Sequence, residues 1–167
     1  LVSDDVLGPD GNSIGAFMRC DQGDKPVDHH TLNNIQLPGD NYPGPYGHSG
    51  YEVTDSVDDL MAGHYHMKTI DEYYHEWGVG RHLRGSQMYD YWRDTHGFTH
   101  EHWTDGDLLD ASIPENKASF RDVVMAQYGP ETPSTFGVTL PVDQIDKVRA
   151  EQPTLPDIIK QMEIAAM

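Results

Sequence analysis

The sequence predicts an α+β fold in which one β-α-β-β-β unit is followed by a long tail. A strand-like run from His48 to Val53 leads into a segment whose apolar residues recur at helical spacing. A further strand-like run, Glu72–Trp77, precedes two more that are joined by turn residues. After Asp107 the pattern changes, because six prolines interrupt the remaining sequence. We interpret this last part as a tail that wraps around the domain and does not form a second core.

The hairpin is the best-marked part of this unit. Its strands are the runs Gln87–Trp92 and Phe98–Thr104, and Asp94 and Gly97 between them are typical of a turn. In the second strand Glu101 lies between two histidines, so alternation directs the carboxylate to one face and both imidazoles to the other. A carboxylate that faces inward needs a partner, because burial of an unpaired charge is costly. We therefore predict that Glu101 binds a metal ion.

The length of the turn decides which side chain of the first strand accompanies Glu101. A five-residue loop over Arg93–Gly97 places Tyr91 on the face of Glu101. A four-residue loop places Tyr91 on the opposite face. The sequence leaves both registers open.

The helix is expected to begin between Thr54 and Asp59, with Thr54 or Asp55 as its N-cap. Acidic residues in the first turn favour this start, because the helix dipole is positive there. The side chains expected on one side of the helix are Val57, Leu60, Met61 and His64.

Five segments are expected outside this unit. Residues 1–12 are polar and rich in turn formers, whereas Ser13–Cys20 and Val27–Ile35 are strand-like. A loop rich in proline and glycine, Leu37–Gly47, separates them from the β-α-β-β-β unit. Within the tail, Pro156–Ala166 is a short helical candidate. These boundaries divide the chain into residues 1–46, 47–107 and 108–167.

Composition restricts the class of protein. The 167 residues suffice for one domain with an appendage, and three Trp, nine Tyr and four Phe argue against disorder. The net charge of −17 disfavours binding to nucleic acid or to an anionic membrane surface. Cys20 is the only cysteine, so no intrachain disulfide is expected and a cytoplasmic location is favoured.

Five blocks, in order along the chain, resemble the C-terminal part of the extradiol catechol dioxygenases, which are members of the vicinal oxygen chelate superfamily. Each block alone is a weak signal, but the shared order makes the set specific. The resemblance covers about residues 13 to 107. The blocks are Asp28-His29-His30-Thr31-Leu32, Gly47–Val53 with its His48, Gly80-Arg81-His82, Tyr91 and Glu101.

The resemblance implies βαβββ modules that form a half-open, curved β-sheet around a metal site. Ser13–Cys20 and Val27–Ile35 would be the last strands of a module whose first half lies upstream of Leu1. Residues 1–46 would then be a truncated module with its linker, and residues 47–107 a complete metal-binding module. The first metal-binding histidine of the family belongs to the upstream half, so the third ligand is expected there.

The resemblance also implies a role for each matched residue. His48 and Glu101 would bind Fe(II), with Mn(II) as the alternative, as in centres of two histidines and one carboxylate. His29 would be the acid–base catalyst, because the Thr31-Leu32 that follows suits the strand of the family. His82 would contact the oxygenated intermediate, and Tyr91 would face the substrate.

The neighbouring histidines leave one alternative open. Either His29 or His30 could serve as the third ligand, whereas alternation along the strand directs His30 away from the metal face. His64 and His66 are poorer candidates, because they lie two residues apart on the helix and so face apart. The remaining four histidines are assigned to the surface or to packing: His75, His96, His100 and His102.

The expected activity is ring cleavage of a catechol-like aromatic diol by O2 at a non-haem Fe(II) site. One alternative is a glyoxalase-like lyase, isomerase or transferase that uses Zn, Ni or Mn on the same fold. Another is a non-catalytic module that binds a small molecule. The expected partners are the small substrate and either a second copy of the chain or the missing upstream half.

Overall fold

The architecture is seen in a computed structural model, which describes residues 1–36, 47–54, 56–138 and 140–165. The strands are β1 (Val2–Leu7), β2 (Ser13–Met18), β3 (Val27–Asp28), β4 (Leu32–Ile35), β5 (His48–Glu52), β6 (Tyr74–His82), β7 (Met88–Arg93), β8 (Thr99–Thr104), β9 (Leu108–Leu109), β10 (Asn116–Ser119) and β11 (Ala126–Tyr128). The helices are α1 (Val57–Met67), α2 (Phe120–Val123), α3 (Val142–Glu151) and α4 (Leu155–Ala165).

Two open, curved sheets organise the molecule, which confirms the predicted α+β class. The strand order is β10-β1-β2-β4 in the first sheet and β11-β6-β7-β8-β5 in the second. The small pair β3-β9 lies apart from both. In the second sheet, β6, β7 and β8 form an antiparallel meander and β5 pairs parallel with β8. The predicted β-α-β-β-β order is therefore present in β5, α1, β6, β7 and β8.

The hairpin of β7 and β8 places Tyr91 directly opposite Glu101, so the two side chains share one face. The loop between the paired residues Arg93 and Thr99 has five residues, 94–98. An odd loop length gives the register in which Tyr91 and Glu101 face the same side, as in the five-residue alternative. Asp94 stabilises this turn, because its Oδ1 accepts hydrogen bonds from the backbone N–H groups of residues 96 and 98.

Helix α1 packs against β7 and β8 and buries Leu60 and His64. Its N-cap is Ser56, whose hydroxyl accepts a hydrogen bond from the backbone N–H of Asp59. Thr54 donates instead to the Asp59 carboxylate and is not the cap. Asp55, the other predicted cap, lies outside the described residues, as do residues 37–46 of the predicted loop.

Two predicted strands differ from the observed ones. The run Val27–Ile35 is interrupted by a bend at residues 29–31, and its two ends, β3 and β4, pair with different strands. Gly80-Arg81-His82, expected in a loop, forms the end of β6, where Arg81 pairs with Met88. Both differences alter the directions of histidines in the candidate site.

Residues 1–12, which the sequence marks as polar and rich in turn formers, contain strand β1. Its consecutive acids look like turn residues, yet each has a partner contributed by tertiary structure. Asp4 is buried beside His29 and Asn116, whose hydrogen bonds outweigh the effect of burial and lower the pKa of this carboxyl. Asp5 is paired with Lys117.

The tail is more than a wrapping segment. Strand β10 pairs parallel with β1, and β11 pairs antiparallel with β6, so the tail extends both sheets. Its Phe120, Val124 and Ile159 form one hydrophobic core with Val6 and Phe17. Helix α4 agrees with the predicted helical candidate, whereas α3 was not predicted.

The tail is joined to the second sheet by hydrogen bonds to the buried ion pair of Arg93 and Glu76. Arg93 donates through Nε to Glu76 at 2.6 Å and through Nη2 to the carbonyl of Thr135 at 2.7 Å. Arg149 donates to the backbone carbonyl of Glu76. This network positions the neighbouring Phe136 against the residues of the candidate site. Among the described residues, the helices are too short or too polar to cross a membrane.

Candidate active site

Glu101 on β8 is the centre of the cluster that the sequence predicted. Its side chain is 7% exposed, and an imidazole lies beside each carboxylate oxygen. His48 Nε2, from β5, is 3.3 Å from Oε2, and His82 Nε2, at the end of β6, is 3.2 Å from Oε1. Three separate strands therefore converge on one buried acid.

Tyr91 completes this cluster from the adjacent strand. Its hydroxyl is 2.9 Å from His82 Nε2, and its ring meets that of His48 edge-on at 5.1 Å. Trp77 stacks against it and Phe136 packs edge-on, with centroids 5.4 and 5.0 Å away. Burial and the nearby Glu101 charge raise the pKa of Tyr91 well above its usual value. The hydroxyl is therefore a protonated donor at neutral pH.

Glu101 carries a negative charge in this setting. Burial opposes ionisation, but the hydrogen bonds and positive potential of His48 and His82 outweigh it and hold the pKa of the carboxyl well below its usual range. A permanently ionised carboxylate is the form that binds metal ions.

The donors present fit part of a metal centre. His48 Nε2 and Glu101 Oε2 are 3.3 Å apart, close to the separation of roughly 3 Å between neighbouring ligand atoms on an ion with bonds of about 2.1 Å. One imidazole and one carboxylate suit Fe(II) or Mn(II). Within the described parts of the chain, no group of three His, Cys, Asp or Glu ligand atoms that includes Glu101 lies within 4.8 Å. The described residues around Glu101 therefore supply two of the three ligands that the sequence predicts.

The structure does not show the strand alternation that was predicted for His29 and His30. His29 is buried, and its Nε2 lies 3.1 Å from Asp4 on β1. His30 is the ring that experiences the charges of Glu101, His48 and His82. The strand alternation on which the prediction rested does not apply, because the chain bends at residues 29–31.

The environment of His30 favours a neutral imidazole. Burial first, and then the neighbouring His29, lowers the pKa of His30 from 6.5 to about 4, although Glu101 acts in the opposite direction. Its Nδ1 lies 3.1 Å from Nδ1 of His29 and 3.5 Å from the amide of Gln87. The two imidazoles are therefore in contact with each other, but His29 also contacts Asp4, whereas His30 lies in the field of Glu101.

A second acid–histidine cluster, which the sequence did not predict, lies on the other face of β7. Asp90 meets His64 from α1, which was expected on one side of the helix with Leu60, and His75 from β6, which had been assigned to packing or the surface. Alternation along β7 already implied that Asp90 faces away from Tyr91. That His64 and His75 would meet it depends on how α1 lies on the sheet, for which the sequence carries no signal. Phe136 was missed for the same reason.

The fold is shared with enzymes of the vicinal oxygen chelate superfamily, which confirms the resemblance. The chain is similar to the Mn(II)-bound glyoxalase from Novosphingobium aromaticivorans, with a TM-score of 0.62, 27% identity, and coverage of 81% of this chain and 40% of that one. It is also similar to a 2,3-dioxygenase from Pseudomonas sp. KL28, with a TM-score of 0.61, 19% identity and coverage of 73% and 39%.

A third similar structure is the homoprotocatechuate 2,3-dioxygenase from Arthrobacter globiformis, with a TM-score of 0.54, 22% identity and coverage of 73% and 35%. No family model matches the chain, and no curated protein matches it in sequence. The chain spans about two fifths of the length of the first two structures.

Proposed function

We propose that this chain, which has the vicinal oxygen chelate fold, is the metal-binding portion of an extradiol-type dioxygenase that cleaves a catechol-like diol with O2. One observation carries this proposal: an ionised, buried Glu101 lies between His48 and His82, and His82 is in turn hydrogen-bonded to the Tyr91 hydroxyl. The set combines two ligand atoms with a proton donor and an imidazole on a single face of the sheet.

His48 and Glu101 would hold the metal, with a third ligand contributed by a segment upstream of residue 1. Bound Fe(II) would supply a common site at which the diol and dioxygen are held together. The first sheet is compatible with a further segment of this kind. Its strand β4 is an edge strand whose described neighbour, β2, lies on one side. In the second sheet the corresponding edge of β8 is covered by the ligand-bearing β5.

Tyr91 would bind and orient the substrate. Its protonated hydroxyl can donate a hydrogen bond to a diol oxygen that has lost its proton, which favours the anionic form of that oxygen. Trp77 and Phe136 hold the ring in place, so the hydroxyl is positioned before substrate arrives.

His30 would move the proton. A lowered pKa leaves its imidazole neutral above about pH 4, so it can accept a proton from the diol and return it later. This is the role that the sequence assigned to His29. The change follows from the directions of the two rings, since His29 is engaged with Asp4.

The second candidate is a Mn(II)-dependent, glyoxalase-type reaction. It is favoured by the identity of 27% to the Mn(II)-bound glyoxalase, compared with 19% and 22% for the two dioxygenases. The buried pair of His82 and Tyr91 has no evident role in a glyoxalase-type reaction. We therefore rank this reaction second.

The two candidates are separated by metal and reaction together. The full-length protein is loaded anaerobically with Fe(II), mixed with a panel of catechols and exposed to air, while O2 uptake and the yellow ring-fission product are followed. A matched sample loaded with Mn(II) is tested in a glyoxalase assay. Ring fission without glyoxalase turnover is the expected outcome, and the reverse result would replace the first candidate with the second.

A further inference from the structure

We propose that Asp90, His64 and His75 form a second metal site, which binds Zn(II) or a similar divalent transition metal and fastens α1 to the sheet. The three residues come from three elements: His64 from α1, His75 from β6 and Asp90 from β7. The proposal is independent of the dioxygenase proposal, because Asp90 and Tyr91 lie on opposite faces of β7.

The nitrogen and oxygen atoms that would bind the ion lie close together. His64 Nδ1 is 3.1 Å from each Asp90 oxygen, and His75 Nε2 is 2.9 Å from Asp90 Oδ1. All three ligand atoms lie within 4.8 Å of one another. Around a tetrahedral zinc ion with bonds of about 2.1 Å, neighbouring ligand atoms are roughly 3.4 Å apart. The separations of Asp90 from both histidines are within about half an ångström of this value, so each histidine–aspartate pair is close to ligand spacing.

Trp92 orients the carboxylate for this purpose. Its indole Nε1–H donates to Asp90 Oδ2 at 2.6 Å, while Oδ1 faces His75. Carboxylates that bind a metal ion commonly accept a hydrogen bond from a neighbouring residue. This bond fixes one oxygen and leaves the other free to bind the ion. The ring of Trp92 also packs against both imidazoles, with centroids 4.7 and 5.8 Å away.

Charge and burial favour a cation at this position. Asp90 is 0% exposed, and its ion pairs within the described residues are with His64 and His75. An imidazole compensates a carboxylate charge only when it is protonated, whereas a divalent ion does so at neutral pH as well. A buried carboxylate without a permanent positive partner is costly, and a bound ion removes that cost.

The solvent exposure of His75 and the small buried face of α1 indicate how the ion would enter the site and what role it would have. The His75 side chain is 28% exposed, so one side of the site is open to solvent for exchange and for a water ligand. Helix α1 buries only Leu60 and His64 against the sheet. A bond from the ion to His64 would add a cross-link where the hydrophobic contact is small, which is a structural role.

The test removes the candidate catalytic ligands first. In the His48→Ala, Glu101→Gln double variant of the full-length protein, we expect one equivalent of Zn(II) to survive gel filtration in millimolar Mg(II). Co(II) in place of Zn(II) should show the visible absorption of a four- or five-coordinate ion. At Zn(II) concentrations of 100 times Kd, the melting temperature should rise by roughly 5–10 °C.

His75→Gln is then added, because this half-exposed position tolerates a polar residue better than buried Asp90 does. We expect the zinc equivalent, the Co(II) spectrum and the thermal shift all to disappear. The matched control is His100→Gln, which removes another partly exposed histidine paired with an acid, Asp94, and should retain all three signals.

Two results would overturn the proposal. One is a double variant that binds no zinc, which would mean that the cluster is held by hydrogen bonds alone. The other is zinc binding that persists in His75→Gln, which would place the ion elsewhere on this acidic chain. Loss of iron and turnover in the double variant bears only on the Glu101 centre, so the two proposals fail separately.

Discussion

The two faces of β7 carry clusters of similar composition, a buried acid with two histidines and an aromatic hydrogen-bond donor, that are built differently. On one face His48 and His82 approach opposite oxygens of Glu101, and the Tyr91 hydroxyl bonds to an imidazole. On the other face both imidazoles converge on Asp90 Oδ1, and the aromatic N–H of Trp92 bonds to the remaining carboxylate oxygen.

This difference separates a spread arrangement of histidines, around Glu101, from a compact one, around Asp90. The histidines around Glu101 are spread, so the ion would need a further ligand and would leave room for substrate. Those around Asp90 are compact, so the described residues alone supply three ligands. At Asp90 a water can complete the coordination of the ion, because the His75 side of the site is open to solvent. The ion at Asp90 would join α1 to the sheet, whereas the residues around Glu101 leave positions for a further ligand and a substrate.

The largest expected effect is the loss of iron from the Glu101 face. Glu101→Gln and His48→Ala should each reduce turnover to background and abolish iron retention, because a neutral amide or a missing imidazole leaves too few donors. Metal analysis after desalting measures this, with circular dichroism as the test of folding. Tight iron binding by either variant would remove the ligand assignment.

The next effect distinguishes the two adjacent histidines. His30→Ala should keep its iron and lower turnover by roughly 10²–10⁴-fold, the range for loss of a positioned acid–base group. His29→Ala should act mainly on folding, since it leaves Asp4 buried with fewer partners, at about 1–3 kcal/mol. Steady-state kinetics and urea unfolding of both variants decide between them. If His29→Ala were the inactive variant, the assignment made from the sequence would be restored.

A smaller effect is expected at Tyr91. Tyr91→Phe should retain iron and lower turnover by about 10- to 100-fold, since one hydrogen bond to a charged group contributes about 1.5–3 kcal/mol. Its control is Tyr65→Phe, at a tyrosine that is 65% exposed. Trp92→Phe, one residue along the strand, should instead weaken zinc binding at Asp90 and leave iron occupancy at Glu101 intact. Iron loss in Trp92→Phe would show that the two faces are coupled.

The last effect, which concerns stability and not turnover, is a pH dependence of unfolding. The pKa of His30 is about 4 when folded and 6.5 otherwise, so between these values the unfolded chain binds a proton that the folded chain does not. Acidification from pH 6.5 to 4 should therefore cost up to about 3 kcal/mol of unfolding free energy. In the metal-free protein His30→Gln should lose this slope, whereas His66→Gln, at an exposed position, should keep it.

Glu101 acts in a lower pH range. Its folded-state pKa is depressed, so its contribution to stability is complete above the unfolded value of about 4.5 and is lost as the pH falls further. Urea unfolding at several pH values separates the two groups. Equal slopes in His30→Gln and His66→Gln would contradict the environment assigned to His30.

The amino-acid sequence by itself determined the features that depend on local periodicity and turn chemistry. The hairpin that brings Tyr91 opposite Glu101 was predicted up to one choice of parity, because strands alternate strictly and Asp94 and Gly97 suit the turn. The helical face with Leu60 and His64 follows in the same way from helical spacing.

Tertiary structure alone decided the features that depend on distant partners. Strand β1 exists because its acids meet His29, Asn116 and Lys117, and no local pattern reveals those partners. The exchange of His29 and His30 comes from a bend that lets β3 and β4 join different strands, which breaks the alternation. The meeting of His64, His75 and Asp90 likewise required the docking of α1 on the sheet, because periodicity specifies the face of an element and not what covers it.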